Sequence, residues 1–148
     1  MAPRVPYLSF WPHAVVSICI GGFVARGGNA VNVATPSVLN ITDLLSRVDN
    51  DRELVSELFF IFKSAFPSHL RRLTDAVANE LPKQVETESH TLKGMLLNLS
   101  AARAAAIAAD LENMGREKRV AGMRGALTEF QSEAETLLSQ MESLESQR

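Results

Sequence analysis

Between Leu54 and Leu144 the apolar residues recur at steps of three and four in segment after segment, and no stretch alternates apolar with polar residues as a strand would. That period commits the chain to amphipathic helices, each with a stripe that must be buried against another. Leu54, Val55, Leu58, Phe62, Phe66, Leu70, Leu73 and Val77 define the first long stripe, which crosses Pro67 as one kinked helix or two abutting ones. Val85, Ser89, Leu92, Leu96 and Leu99 mark a second helix, opened by Pro82 in its first turn. A third holds Ala104, Ile107, Ala108, Leu111 and Met114, with Gly115 expected at the left-handed position that ends it. Val120, Met123, Leu127, Phe130, Ala134, Leu137, Met141 and Leu144 form the seam of a fourth. Ahead of these, Asn40 is expected to cap a short helix through Leu44, Leu45 and Val48. Asn50 with Glu53 resembles a capping box, and Ser100 is a cap for the third long helix. The expected fold is all-α, an antiparallel four-helix bundle with a short extra N-terminal helix.

Composition removes several function classes. Seventeen acidic against fifteen basic residues give a net charge of −2, with no block of like charge, so bulk electrostatic binding of nucleic acid is not expected. Cys19 is the single cysteine, and His13, His69 and His90 are far apart in sequence, which excludes a disulfide scaffold and a structural zinc cluster. Gly21-Gly22 and Gly27-Gly28 lack the spacing of a phosphate loop. Residues 1–35 have no acidic side chain, and the apolar run from Ala14 to Ala25 has 12 residues, too few to span a bilayer. This segment is expected to be disordered, a linker from a larger parent or a mispredicted start, with a secretory signal as the alternative. The bundle is expected over 36–148, without membrane insertion.

At about 100° per residue, His90 lies about 160° around its helix from the core residue Leu92 and points at water. Glu86, Lys93, Gly94 and Leu97 are three, four or seven residues from His90 and share its face. An exposed imidazole is largely neutral and nucleophilic near pH 7, which suits it to accept a phosphoryl group. Lys93 disfavours the imidazolium and is placed to pair with phosphate oxygens; Glu86 opposes the first effect. Gly94 costs helix stability and leaves space over the ring for a partner. Leu97 is an exposed leucine, and with Phe59 or Phe60 across the bundle it is the expected docking contact, rimmed by Glu86 and Lys93, with Lys83 and Arg103 as further candidates for the rim. His69, beside Leu70, is expected to serve packing or surface.

The run His90-Thr-Leu-Lys-Gly94, followed by Asn98-Leu99-Ser100-Ala101 and by Leu111-Glu112, resembles the histidine-containing phosphotransfer (HPt) domain of bacterial multistep phosphorelays, whose signature is H-x-L-K-G with a later L-G-A. The resemblance covers residues 36 to 147 and includes the helix order, Phe59-Phe60-Ile61-Phe62 and Pro67. It implies that His90 is the phosphoacceptor, that Lys93 supplies phosphoryl electrostatics and that Gly94 gives the partner access. Ser100 stands where the family commonly has glycine, and Met95-Leu96 where small or hydroxyl residues are frequent. The family further implies a phosphocarrier rather than an enzyme, with no cofactor of its own and Mg²⁺ on the partner receiver. Response-regulator receivers and a hybrid sensor histidine kinase are the implied partners of a cytoplasmic monomer. The alternatives are a non-catalytic adaptor bundle and the C-terminal HPt fragment of a hybrid kinase.

Overall fold

The computed structural model describes residues 38–147, so the expectations for residues 1–35 lie outside the described part of the chain. Five helices follow in order: α1 (Ile41–Arg47), α2 (Arg52–Ala78), α3 (Pro82–Asn98), α4 (Ala102–Arg116) and α5 (Met123–Ser146). The fold is all-α, as the period of the apolar residues requires. The four long helices close a ring in which α2 packs on α3, α3 on α4, α4 on α5 and α5 on α2, while α1 rests on α2. Phe59, Phe66, Leu73, Leu92, Leu96, Leu111, Phe130 and Leu137 fill the interior, and Phe62 stacks on Phe66 with ring centroids 4.9 Å apart.

Asn40 caps α1 as its side chain suggests, its Oδ1 accepting from Asp43 N at 3.1 Å. Asp51, not Asn50, caps α2: its carboxylate accepts from the backbone of Glu53 and Leu54 at 2.9 and 3.0 Å, and Asn50 has turned to φ +62°. Helix α2 then continues through Pro67 without interruption.

The helix ends correct two further expectations. Leu81 N donates to Ala76 O, Ala101 N to Leu96 O and Arg119 N to Met114 O at 2.9–3.0 Å, each closing a C-terminus with a six-to-one bond. The left-handed residues at these corners are Glu80, Ser100 and Lys118, at φ +52°, +56° and +55°. Ser100 is therefore a helix-ending corner rather than a cap for α4, whose N-cap is Ala101 without a side-chain bond. That conformation is why glycine suits the position, and the Ser100 hydroxyl is tied to Asp43 Oδ2 at 2.5 Å.

Gly115 lies inside α4 rather than beyond its end, and its role is steric. A Cβ built on it would come within 2.6 Å of both Glu86 N and Pro82 O, so the last turn of α4 crosses the first turn of α3 backbone against backbone. No side chain larger than hydrogen fits that crossing. Because α3 is held this close to α4, side chains flanking the seam meet across it.

Candidate functional site

His90 emerges from the middle of α3 with its side chain 69% exposed, on the face opposite the buried Leu92. Its Nδ1 lies 3.1 Å from Oε1 of Glu112, which projects from α4. Lys93 Nζ donates to the other oxygen of the same carboxylate at 2.5 Å, and Arg116 Nη2 donates to Oε1 at 2.7 Å. Glu112 is thus a hub for three donors, with its side chain only 6% exposed. The hydrogen bond from Lys93 holds its carboxyl below the usual carboxylate range against the opposing effect of burial, and the bond from His90 adds to it.

The tautomer follows from this geometry. An ionised carboxylate can only accept, so the proton of a neutral His90 must sit on Nδ1 and the lone pair on Nε2, away from Glu112. The ring presents one nucleophilic nitrogen to solvent, and the carboxylate also favours positive charge developing on the ring when Nε2 gains a substituent. Lys93 reaches the site indirectly. Its ammonium is held by Glu112, four residues before Arg116 on α4, and is available to an anion on Nε2 only by exchanging that partner.

Gly94 lies one turn along from His90, and a Cβ built there would meet nothing within 4 Å. The position faces open solvent. Leu97, another turn along, is 48% exposed, and the carbonyl of Leu97 accepts from Arg47 Nη1 of α1 at 3.1 Å. Phe59, by contrast, is 2% exposed and belongs to the core, so it offers nothing to a partner. The exposed aromatic is its neighbour Phe60, at 69%, with Ile61 at 56%. Spacing failed here because α2 buries Val55, Phe59, Phe62 and Phe66, a stripe displaced from one that begins at Leu54, which is itself 38% exposed.

Glu86 flanks the site, but as a half-buried anion rather than an open rim residue: Lys83 Nζ is 3.0 Å from its Oε2 and Arg116 Nε is 3.6 Å from its Oε1. The hydrogen bond from Lys83 holds its carboxyl low, opposed by burial and aided by Arg116. Arg103 is turned to α5, where its Nε lies 3.1 Å from Glu133 Oε1. Helical spacing singles out neither Glu112 as a hydrogen-bond partner nor Arg116. A signal for the first exists: Ala104, Ala108 and Glu112 follow at steps of four on the inward face of an alanine-rich helix, where a glutamate needs donors.

Among the described residues no group of three or more His, Cys, Asp or Glu side chains could hold a metal ion, and no helix is long and apolar enough to cross a membrane. The model of one protein family, the Hpt domain, matches residues 57–147, a span that runs from α2 to the end of α5 and contains the whole His90–Glu112 cluster. The chain belongs to the Hpt domain family. Comparison with curated proteins and with solved structures found no match. Hpt domains are phosphotransfer-capable modules of phosphorelays, carriers rather than catalysts, that interact with receiver domains.

Proposed function

We propose that this chain carries a phosphoryl group on Nε2 of His90 between the aspartates of receiver domains in a multistep phosphorelay. The observation behind this reading is the exposed imidazole whose Nδ1–H is committed to the buried Glu112, beside the open space at Gly94. The Nε2 lone pair attacks the phosphorus of an aspartyl phosphate, the N–P bond forms as the P–O bond breaks, and the aspartate carboxylate leaves with the electron pair. No proton has to move. Nδ1 keeps its hydrogen, the ring becomes cationic, and Glu112 accepts a stronger hydrogen bond. The reverse sequence delivers the group to the next aspartate.

Hpt His90 has little else to supply. The Mg²⁺ ion and most of the stabilisation of the transferring group belong to the receiver, so the chain acts as a carrier dependent on its partners, with no cofactor of its own. Those partners are response-regulator receivers and a hybrid sensor kinase, met by a cytoplasmic monomer. Lys93 and Gly94 keep the roles of phosphoryl electrostatics and access.

Docking falls to Leu97, two turns along α3 from His90 and 48% exposed. An apolar centre with a charged rim suits the weak, quickly reversed association that exchange between partners requires.

The test is transfer from a phosphorylated receiver to the wild type, His90→Gln and Gly94→Lys, followed by mass spectrometry at alkaline pH. Label is expected on the wild type only, with Gly94→Lys still folded but closed to the receiver. Label on His90→Gln would remove the assignment, and no label on any chain with several receivers would favour a helical adaptor.

A further inference from the structure

We propose that Ser89 is a positioning residue of this site: its buried hydroxyl takes over Oε2 of Glu112 when Lys93 turns to a phosphoryl group on His90. The proposal rests on the carrier reading and adds to it the exchange that releases Lys93. It begins with an orphan. Ser89 is fully buried, and its Oγ has no hydrogen-bond partner. A hydroxyl taken out of water without a partner is unfavourable, and protein interiors nearly always supply one.

The crossing at Gly115 shows which acceptor is near. There the last turn of α4 meets Glu86 in the first turn of α3, so the two helices run antiparallel. Glu112 is three residues back along α4 and Ser89 three forward along α3, about one turn each, which brings them to one level of the seam. On α3 Ser89 is flanked by three side chains that reach α4. Glu86, one turn before it, meets Arg116, while His90 beside it and Lys93 one turn after it meet Glu112. Those three emerge partly exposed, whereas Ser89 is covered, so its hydroxyl lies inside the seam that they cross from outside.

The two oxygens of Glu112 are not alike. Oε1 accepts from both His90 Nδ1 and Arg116 Nη2, whereas among the described residues Lys93 Nζ is the donor to Oε2. A phosphoryl group on Nε2 brings about −1.5 to −2 of charge beside that ammonium and draws it away. Oε2 is then stranded, on a side chain only 6% exposed, where water does not readily replace the lost donor. Ser89 meets that need. Rotation about its Cα–Cβ bond to another staggered position carries the Oγ–H to the vacated oxygen. The hydroxyl donates, Glu112 stays ionised, and Nδ1 of His90 keeps its acceptor. A buried donor without an acceptor and an acceptor that loses its donor complete each other in the phosphorylated state.

Without the hydroxyl, Lys93 stays on Glu112 and the phosphoryl oxygens lose a cation that stabilises the dianion more than the metaphosphate-like transition state of its loss. The wild type, Ser89→Ala, Lys93→Met and the double variant are labelled at His90 with phosphoramidate, whose P–N bond breaks as ammonia leaves and the N–P bond to Nε2 forms. Decay is followed by intact mass at neutral pH. Ser89→Ala is expected to shorten the half-life of phosphohistidine about threefold, the size of one hydrogen-bond contribution. In the Lys93→Met background, with no ammonium to release, the same substitution should change nothing. A circular dichroism melt of unphosphorylated Ser89→Ala should give a Tm no lower than that of the wild type, because no bond is lost there. Phosphorylation of the wild type should also change the Hα–Hβ couplings of Ser89, which report its rotamer and need no variant. Equal half-lives, the same shortening with and without Lys93, a lowered Tm or unchanged couplings would overturn the proposal while leaving the carrier reading intact. A wild type that takes no phosphoryl group would overturn both.

Discussion

Two imidazoles in this bundle lean on a largely buried glutamate through Nδ1, and they differ in how far they open to solvent. His90 meets Glu112 at 3.1 Å, and His69 meets Glu88 at 2.8 Å. Each carboxylate also binds an arginine, Arg116 in the first case and Arg72 in the second. Both carboxyls lie below the ordinary range. For Glu88 burial pushes upward and the hydrogen bonds from His69 and Arg72 outweigh it. The difference lies on the other side of the ring. His69 is 22% exposed, and Arg72 Nη2 stands 2.8 Å from its Nδ1 and 3.5 Å from its Nε2. His90 has open solvent and Gly94 there instead. A carboxylate partner orients an imidazole; a free second nitrogen makes it reactive.

The largest expected effect comes from the seam that brings Glu112 to His90 and has no counterpart at His69. Gly115→Leu places carbon where only hydrogen fits against backbone, and should destabilise the bundle by about 3 kcal/mol or more. Thermal melts check this. If the fold survives, the His90–Glu112 contact should be lost while His69–Glu88 remains; an unchanged melting temperature would break the account of the crossing.

Next come the two carboxylates. Glu112→Ala and Glu88→Ala should each cost about 1–3 kcal/mol in urea melts, because each strands partly buried cations. Only Glu112→Ala should slow phosphorylation of His90 by phosphoramidate, by roughly threefold to tenfold, since the ring is then free to place its proton on Nε2. Equal rates for the two variants would remove the distinction between the clusters.

Acid should reveal both at once. A carboxyl whose folded pKa is depressed contributes stability that is present above its unfolded pKa, 4.5 for these glutamates, and lost as pH falls through the folded value. Urea melts from neutral pH to about pH 3 should therefore show wild type losing stability that Glu112→Gln loses less of, a difference of about 1 kcal/mol. The smallest effect is at Gly94. Alanine there meets nothing and should raise stability by about 0.5–1 kcal/mol in the same melts, with phosphoramidate labelling unchanged.

The fold was legible because period survives local error. Val85, Ser89, Leu92, Leu96 and Leu99, taken from spacing alone, are all buried. His90 and Gly94 were legible for the same reason, as positions opposite a known stripe. Spacing misplaces Phe59 because a run of four large apolar residues, Phe59-Phe60-Ile61-Phe62, satisfies more than one phase of the helix. Helix ends are harder to read because the glycine rule points to Gly115, whereas Glu80, Ser100 and Lys118, none of them glycine, take the left-handed corners. Glu112 is marked in the sequence only as a glutamate on the inward face of an alanine-rich helix, and Arg116 is not marked at all. Their roles depend on which helix α4 touches and how closely, a tertiary fact that one helix's spacing does not contain.

The central claim is that His90, and not His69, is the phosphoacceptor, through Nε2. Wild type, His90→Gln and His69→Gln treated with phosphoramidate and weighed intact at alkaline pH test it directly. One phosphoryl adduct on wild type and His69→Gln, absent from His90→Gln, with a phosphorus–nitrogen coupling that marks substitution at Nε2, is the expected result. An adduct that persists in His90→Gln, or disappears in His69→Gln, would contradict it.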